Sequence, residues 1–179
     1  MSAKILELLK KEVDSCLNIY CVLASPSSFV FEERVKALCF HCASYSTKWT
    51  CPQKMPKINY EKVFSEYKNG LLVYCKFDNI KEEEFPEIRK KSTNLLHKEL
   101  LKLEKICWNN NLPMAISFIG GGCKLCKNGC ADDKCRNPYL ARIPLEATGI
   151  NVIKSLEKIE IDVSFPVKET LCRYGLLLF

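Results

Sequence analysis

The chain has 179 residues, of which 47% are hydrophobic and 27% are charged, and this is ordinary composition for one folded domain. No apolar run is long enough to cross a bilayer, so we expect no membrane association. The formal net charge of +6 is modest and carries no basic stripe interleaved with aromatic residues, so we do not expect nucleic-acid binding. Charges interrupt the apolar residues of the amino-terminal segment, which therefore lacks a signal-peptide core, and we expect a cytoplasmic protein.

The first part of the chain predicts a helix, a strand and an extended segment. Over residues 3–17, apolar side chains recur at helical spacing with lysines and acids between them, which is typical of an amphipathic helix. Residues 19–24 are continuously apolar and predict a short buried strand. Residues 29–38 mix apolar and charged side chains, and we expect them to be extended.

The middle of the chain predicts a helix, a strand, a long helix and a second strand. Residues 60–68 are predicted to be helical, with Asn59 as the amino-terminal cap. Residues 71–77 predict a strand, about 83–108 a long helix, and 114–119 a second strand. A strand, a long helix and a further strand together favour a parallel crossover connection.

The carboxyl-terminal part predicts two short helices, over 143–147 and 152–159, and a terminal strand over 176–179. Together these elements predict an α/β fold in a single cysteine-rich metal-binding domain spanning residues 1–179. In this fold, a mixed, partly parallel sheet is flanked by helices as a sandwich and carries two cysteine-rich metal loops.

Twelve cysteines divide into two tight groups and five scattered residues. In a reducing compartment, closely spaced cysteines indicate metal binding rather than disulfides. The scattered cysteines lie among apolar neighbours, and we expect them to fill the core as small hydrophobic side chains. They are Cys16, Cys21, Cys75, Cys107 and Cys172.

The later group places four cysteines within 13 residues, with the spacing CxxCxxxCxxxxC. Its members are Cys123, Cys126, Cys130 and Cys135. A CxxC turn brings two thiolates to one metal or to two corners of a cluster, and ferredoxin loops use similarly compact spacing. The glycines at 120–122 allow close backbone approach, and the neighbouring Lys124 favours thiolates. Zinc sites usually pair two CxxC knuckles and this group has one, so the spacing favours a [4Fe-4S] cluster, with zinc as the alternative.

The earlier group offers three thiols, a CxxC pair and a third cysteine after eight intervening residues, followed directly by proline. Its members are Cys39, Cys42 and Cys51. A fourth ligand would come from Cys75 or His41, or the site is open and binds a substrate. Tyr45 and Trp49 are predicted to shield the site from water.

Taken together, the two groups resemble a known family. The pattern CxxCxxYxxxWxCP, followed by GxCxLCxxxC, CRxP and ARxxxEAxGI, is similar to small cysteine-rich bacterial and archaeal proteins described as predicted metal-binding proteins, with no assigned function. The resemblance covers about residues 30–155. The sequence departs at Ser46 and Gln53, where family members tend to have glycine and proline, but no ligand cysteine is lost. The resemblance implies metal binding and leaves the function open.

Three functions fit these features. The first is an iron–sulfur protein with two [4Fe-4S]-type sites that acts in electron transfer or supports a redox enzyme, docking an acidic redox partner through its lysines. The second is an enzyme that uses an open three-cysteine iron–sulfur site on a small, sulfur-containing substrate. Arg142 and Glu146 would then be substrate contacts, or else an ion pair on one helix face. The third is a zinc-stabilised interaction module. His97, in the long helix, is expected to serve packing or the surface and not catalysis.

Overall fold

The computed structural model describes residues 3–163 and 167–179. Over these residues, the helices are α1 (Ala3–Asp14), α2 (Glu33–Leu38), α3 (Tyr60–Ser65), α4 (Phe85–Asn109) and α5 (Val152–Lys158). The strands are β1 (Ile19–Ala24), β2 (Gly70–Phe77), β3 (Ile116–Phe118) and β4 (Leu171–Leu178). None of the described helices combines the length and the apolar character that a membrane span requires.

The four strands form one antiparallel sheet in the order β1-β2-β4-β3. The prediction of a partly parallel sheet is therefore wrong. The long helix α4 does connect two strands that run in the same direction, but β4 lies between them and pairs antiparallel with both. Leu176 of β4 is opposite Leu72 of β2 on one side and opposite Phe118 of β3 on the other. The crossover was predicted from local order along the chain, which does not reveal that the last strand fills the gap.

Helices cover both faces of the sheet, as the sandwich prediction requires. Side chains of α1 and α4, such as Leu9 and Leu100, pack with Val73 on one face. Phe64 of α3 and Leu156 of α5 pack on the opposite face. Because neighbouring residues of a strand point to opposite faces, β2 is apolar along most of its length. The two cores contain the bulk of the buried apolar surface, which is the main favourable contribution to folding.

A local signal marks the start of α3, whereas no such signal revealed α2. The side chain of Asn59 accepts a hydrogen bond from the Lys62 backbone N–H at 3.0 Å, which confirms it as the amino-terminal cap of α3. The extended prediction for 29–38 is wrong over α2, where Glu33 to Leu38 form a helix whose side chains are not buried. Without a buried face, α2 has no apolar stripe from which its helical period could be detected.

The helix predicted over 143–147 is also absent, and residues 146–148 form a short 3₁₀ turn instead. The Ile119 N–H donates to the Ile143 carbonyl at 3.0 Å, and the Leu145 N–H donates to the Ile119 carbonyl at 2.9 Å. These bonds hold the chain around Pro144 beside the end of β3 as an isolated bridge. Pairing with a distant segment therefore overrides the local helical pattern.

The expectation that the scattered cysteines fill the core holds for two of them. Cys75 and Cys107 have no exposed surface, and burial raises the pKa of Cys75 to about 12 and that of Cys107 to about 11. The other three, Cys16, Cys21 and Cys172, are only half-buried. Cys16 instead takes part in a polar cluster between α1 and α4.

Candidate metal centre

Two irregular segments carry six of the seven clustered cysteines. Residues 42–59 and 120–143 contain neither helix nor strand. The first continues from α2 through a 3₁₀ turn that includes Cys39, and the second leaves the end of β3 just before Cys123. We call them the first and second cysteine segments. Long irregular segments in a compact domain are commonly functional.

The two cysteine segments contact each other directly. The indole Nε1–H of Trp49 donates a hydrogen bond to the Ala131 carbonyl at 2.8 Å. The Lys48 ammonium donates to the Cys123 carbonyl at 2.7 Å. Both donors belong to the first segment and both acceptors to the second, so the fold brings together two cysteine groups that are far apart in the sequence.

The electrostatic environment of Cys51 shows that thiols of the two groups also lie close to each other. Burial is the main cause of its raised pKa, and the nearby Lys48 ammonium opposes this effect. The thiols of Cys42, Cys39 and Cys130 raise the pKa of Cys51 further. Since Cys130 belongs to the second segment, the two groups of thiols lie within electrostatic reach of each other.

Three thiols of the second segment, those of Cys123, Cys126 and Cys130, lie within electrostatic reach of one another. Burial raises the pKa of Cys123 most, and the neighbouring thiols of Cys130 and Cys126 raise it further. The Asn137 side-chain amide donates to the Cys126 sulfur at 3.2 Å. Cys135 is half-buried near the end of the segment. All four cysteines of this group are thus partly accessible, unlike the fully buried cysteines of the core.

Three cationic side chains lie near one another at the cysteine segments: Lys48, Lys124 and Arg173. Burial lowers the pKa of Lys124 most, and the charges of Lys48 and Arg173 lower it further. Arg173 donates to the Ser92 hydroxyl at 3.0 Å and to the Gly120 carbonyl at 3.4 Å. Such cations favour thiolates and metal–thiolate clusters, which carry negative charge. The sequence did not reveal the role of Arg173, because this residue lies in β4, far along the chain from both cysteine groups.

The glycines before the second group are required by the protein's own neighbouring atoms. A Cβ atom at Gly120 would lie 2.2 Å from the Tyr174 carbonyl oxygen. At Gly121, where φ is +72°, a Cβ atom would lie 2.6 Å from the Arg173 guanidinium. The expectation of close backbone approach is therefore confirmed, and the groups that approach belong to β4.

Arg142 and Glu146 do not pair with each other. The Arg142 guanidinium forms a bidentate ion pair with the buried Glu104, with Nε donating to Oε1 at 2.7 Å. Glu104 Oε1 also accepts hydrogen bonds from the Ser117 N–H and hydroxyl, both at 2.6 Å. The predicted i, i+4 pair is wrong because residues 142–144 are not helical and the 3₁₀ turn begins only at Glu146.

Glu146 instead lies between the second cysteine segment and Cys39. Its carboxylate accepts a hydrogen bond from the Gly121 N–H at 3.4 Å. Burial raises the pKa of Glu146, although this hydrogen bond and the Arg173 charge oppose the shift. The negative charge of Glu146 raises the pKa of Cys39, after burial as the first cause.

The two candidates for a fourth ligand lie in different surroundings. Cys75 is buried in the sheet core, where its thiol donates to the Ser92 carbonyl at 3.5 Å. His41 is exposed, and its ring contacts that of Phe40. The predicted shielding residues are half-buried: Trp49 contacts the second segment, and Tyr45 packs against Phe40 with ring centroids 5.3 Å apart. The structure therefore does not bring Cys75 to the first cysteine group.

The protein consists of an antiparallel sheet with its helices, which we call the body, and of two cysteine segments that contact each other. These features are those of a cysteine-rich metal-binding protein. Residues 23–179 match the family described as "Predicted metal-binding protein (DUF2284)", and the chain belongs to this family. The family resemblance inferred from the cysteine motifs is thus confirmed, and the match extends beyond those motifs through β4. No curated protein and no solved structure matches the chain significantly.

Proposed function

We propose that this chain is an iron–sulfur protein that holds two [4Fe-4S]-type clusters at the facing cysteine segments and acts in electron transfer or supports a redox enzyme. The observation that carries the proposal is the contact between the segments through Trp49 and Lys48. This contact brings a four-thiol group and a three-thiol group into one region. When bound, the clusters would supply one-electron redox chemistry, while the chain would hold and shield them.

The residues present fit such clusters in number and in charge. In the second group, Cys123, Cys126, Cys130 and Cys135 offer a thiolate for each iron of one cubane cluster. Each oxidised four-thiolate cluster carries a charge of about −2, which Lys48, Lys124 and Arg173 would partly offset. Burial raises the pKa of the Cys51 and Cys123 thiols, so metal binding would supply the free energy that deprotonates them.

Electron transfer requires an accessible edge and a surface on which a partner can dock. Cys42 is exposed. Large apolar side chains that are exposed to solvent flank the cysteines in both segments, namely Leu38, Phe40, Leu125, Tyr139 and Leu140. Exposed apolar side chains beside a candidate site are typical of an interaction surface. Together with the lysines of the second segment, they support docking of an acidic redox partner.

The first test measures which metal the purified protein contains. Anaerobically purified protein is expected to be brown and to contain iron and acid-labile sulfide. Replacing Cys42 with serine should remove the iron of one cluster, and replacing Cys126 should remove that of the other. The matched control is Cys21→Ser, which changes a half-buried cysteine of β1 and should leave the iron content unchanged. Colourless protein that holds only zinc would overturn the proposal in favour of a zinc-stabilised module.

A second candidate function, catalysis at an open cluster, is favoured by a cleft beside the first group. This cleft has a volume of about 770 Å³ and is lined by Leu38 and Glu146, next to Cys39, and by Cys172 and Tyr174 of β4. Three cysteines would leave one iron of a cluster without a protein ligand, and that position could bind a small sulfur-containing substrate.

The two functions differ in their response to small ligands. An open cluster should change its visible and electron paramagnetic resonance spectra when a small thiol is added. The Glu146→Gln variant should weaken this response while retaining its iron. Spectra that small thiols leave unchanged, in protein with full iron content, would exclude the open-site enzyme and favour electron transfer.

A further inference from the structure

A polar cluster lies where the end of α1 packs against α4, and it includes none of the clustered cysteines. One potential ligand atom from each of Glu12, Cys16 and Glu99 lies within 4.8 Å of the others. The Cys16 sulfur is 3.1 Å from Glu99 Oε2, to which its thiol donates a hydrogen bond. Two carboxylates and a thiol thus converge between two helices, although Cys16 was expected only to fill the core.

Glu99 gives an independent indication that this cluster binds a cation. Its side chain is 2% exposed, and in the part of the chain that the structure describes its Oε1 has no hydrogen-bond partner. A buried carboxylate oxygen without a partner is costly, and native proteins usually satisfy such an atom with a donor, a water or an ion. Oε2 of Glu99 contacts Cys16 and Lys102, and a metal ion bound through both carboxylate oxygens would satisfy Oε1 as well.

Lys102 now supplies the positive charge of the cluster. Its ammonium lies 2.9 Å from Glu12 Oε1, 3.0 Å from Glu99 Oε2 and 3.8 Å from the Cys16 sulfur. The Lys102 side chain is 42% exposed, so it can turn into solvent without opening the core. It therefore contacts all three potential ligands, and a metal ion can take its place.

We infer that Glu12, Cys16 and Glu99 form a binding site for one zinc ion, which replaces the Lys102 ammonium. Carboxylate oxygen and thiolate sulfur are both zinc ligands, and three protein ligands leave a position for water. On binding, a Zn–S bond forms, the Cys16 thiol releases one proton to solvent, and no electron is transferred. Glu12 and Cys16 precede residues 23–179, so this site lies partly outside the family match.

Zinc titration tests the inference on protein whose cysteine segments are already loaded and from which free metal has been removed. The wild type should bind one additional zinc equivalent and release a proton as it does so. Cys16→Ser and Glu12→Gln should each lose that equivalent. Cys21→Ser, a half-buried cysteine of the adjoining strand, is the matched control and should retain it. A zinc concentration 100-fold above the dissociation constant should raise the unfolding temperature by roughly 5–10 °C.

The Lys102→Met variant separates a metal site from an ordinary ion-pair cluster. If the three side chains bind zinc, this variant should bind it more tightly than the wild type, and zinc should restore the stability lost with the ammonium. The inference is overturned if neither protein binds an added equivalent, or if the equivalent persists in both Cys16→Ser and Glu12→Gln. Loss of the equivalent in Cys42→Ser alone would also overturn it. The iron content of the cysteine segments should be the same in all these α1 and α4 variants, so this result is independent of the proposed function.

Discussion

Different interactions stabilise the two regions of the molecule. One region is the body, which is the sheet with its helices, and the other is the pair of cysteine segments. In the body, side chains such as Leu100 and Leu176 have no exposed surface and pack in two apolar cores. In residues 42–59 and 120–143, the cysteines are half-buried or exposed, and regular hydrogen-bonded structure is absent. The body is therefore stabilised by apolar burial, whereas the segments have too little of it and depend on specific polar contacts and, in our proposal, on metal.

A few buried polar contacts connect the two regions. Arg142, at the end of the second segment, pairs with Glu104 of α4. The ring of His97, also in α4, lies 2.8 Å from the Leu140 carbonyl. Arg173 of β4 contacts Gly120 at the start of the segment. The body thus fixes both ends of the second cysteine segment, while the middle, where most of the cysteines lie, is held by its contact with the first segment.

Metal removal should produce the largest difference between the regions. After chelation, backbone amides of the two cysteine segments should lose their protection against hydrogen exchange, because metal bonds supply about 10 kcal/mol or more in small metal-dependent domains. Amides of β2 and β4 should remain protected, and they serve as the internal control. Uniform loss of protection over both regions would mean that the body also requires the metal.

Replacing Arg142 with alanine should destabilise the protein by about 3–5 kcal/mol, because it leaves the Glu104 carboxylate buried without its cation. Urea unfolding monitored by circular dichroism measures this loss. Arg34→Ala is the control, since Arg34 pairs with Glu32 at the surface and its removal should change stability little. Equal effects of the two variants would show that the buried pair does not secure the second segment.

Leu100→Ala should lower the free energy of unfolding by about 2–5 kcal/mol through the cavity that it leaves in the body. The protein should still bind its full complement of metal, because Leu100 lies in the apolar core between the sheet and the helices. Leu17→Ala, at a residue that is 85% exposed, is the matched control and should have little effect. Substantial metal loss in folded Leu100→Ala protein would show that the two regions are not separable.

His97 should make the stability of the protein depend on pH. Burial lowers the pKa of His97 in the folded state below its ordinary value of 6.5, so below that pH the unfolded state binds the proton more readily. Stability should therefore fall as the pH decreases from 6.5, by at most about 1.4 kcal/mol per pH unit, until His97 is protonated in the folded state as well.

Unfolding measurements between pH 5 and 7 on the wild type and on His97→Gln check this expectation. Glutamine can still donate to the Leu140 carbonyl but does not titrate, so the slope should become shallower in the variant. An unchanged slope would assign the pH dependence to other groups.

Trp49→Phe should have the smallest effect. It should weaken the contact between the two cysteine segments by about 0.5–1.5 kcal/mol, because it removes one hydrogen bond between them. The variant should lose metal to a chelator faster than the wild type, while the unfolding of the body stays nearly the same. Trp108→Phe is a matched control, since the Trp108 indole donates a similar hydrogen bond to the Ala115 carbonyl within the body. Equal rates of metal loss in the two variants would contradict a role for Trp49 in joining the segments.

The sequence predicted the elements whose signals are local. The bounds of β1 agree with the prediction, and the long helix and the strand after it were also found, because apolar periodicity and length depend on neighbouring residues. The predictions failed over α2, at 143–147 and for the direction of sheet pairing. In the last two cases a distant partner decides the conformation: Ile119 forms backbone hydrogen bonds with Ile143 and Leu145, and β4 separates β2 from β3.

By itself, the sequence determined that this protein belongs with cysteine-rich metal-binding proteins, because the spacing of thiols along a short segment is a local property. Only the tertiary structure decided that the two cysteine groups face each other, that Lys48 contacts the Cys123 carbonyl and that Arg173 lies beside the second segment. It also placed Cys16 among two carboxylates and a lysine. These arrangements join residues that are far apart in the chain, and packing around the sheet fixes them, so no pattern of neighbouring residues could reveal them.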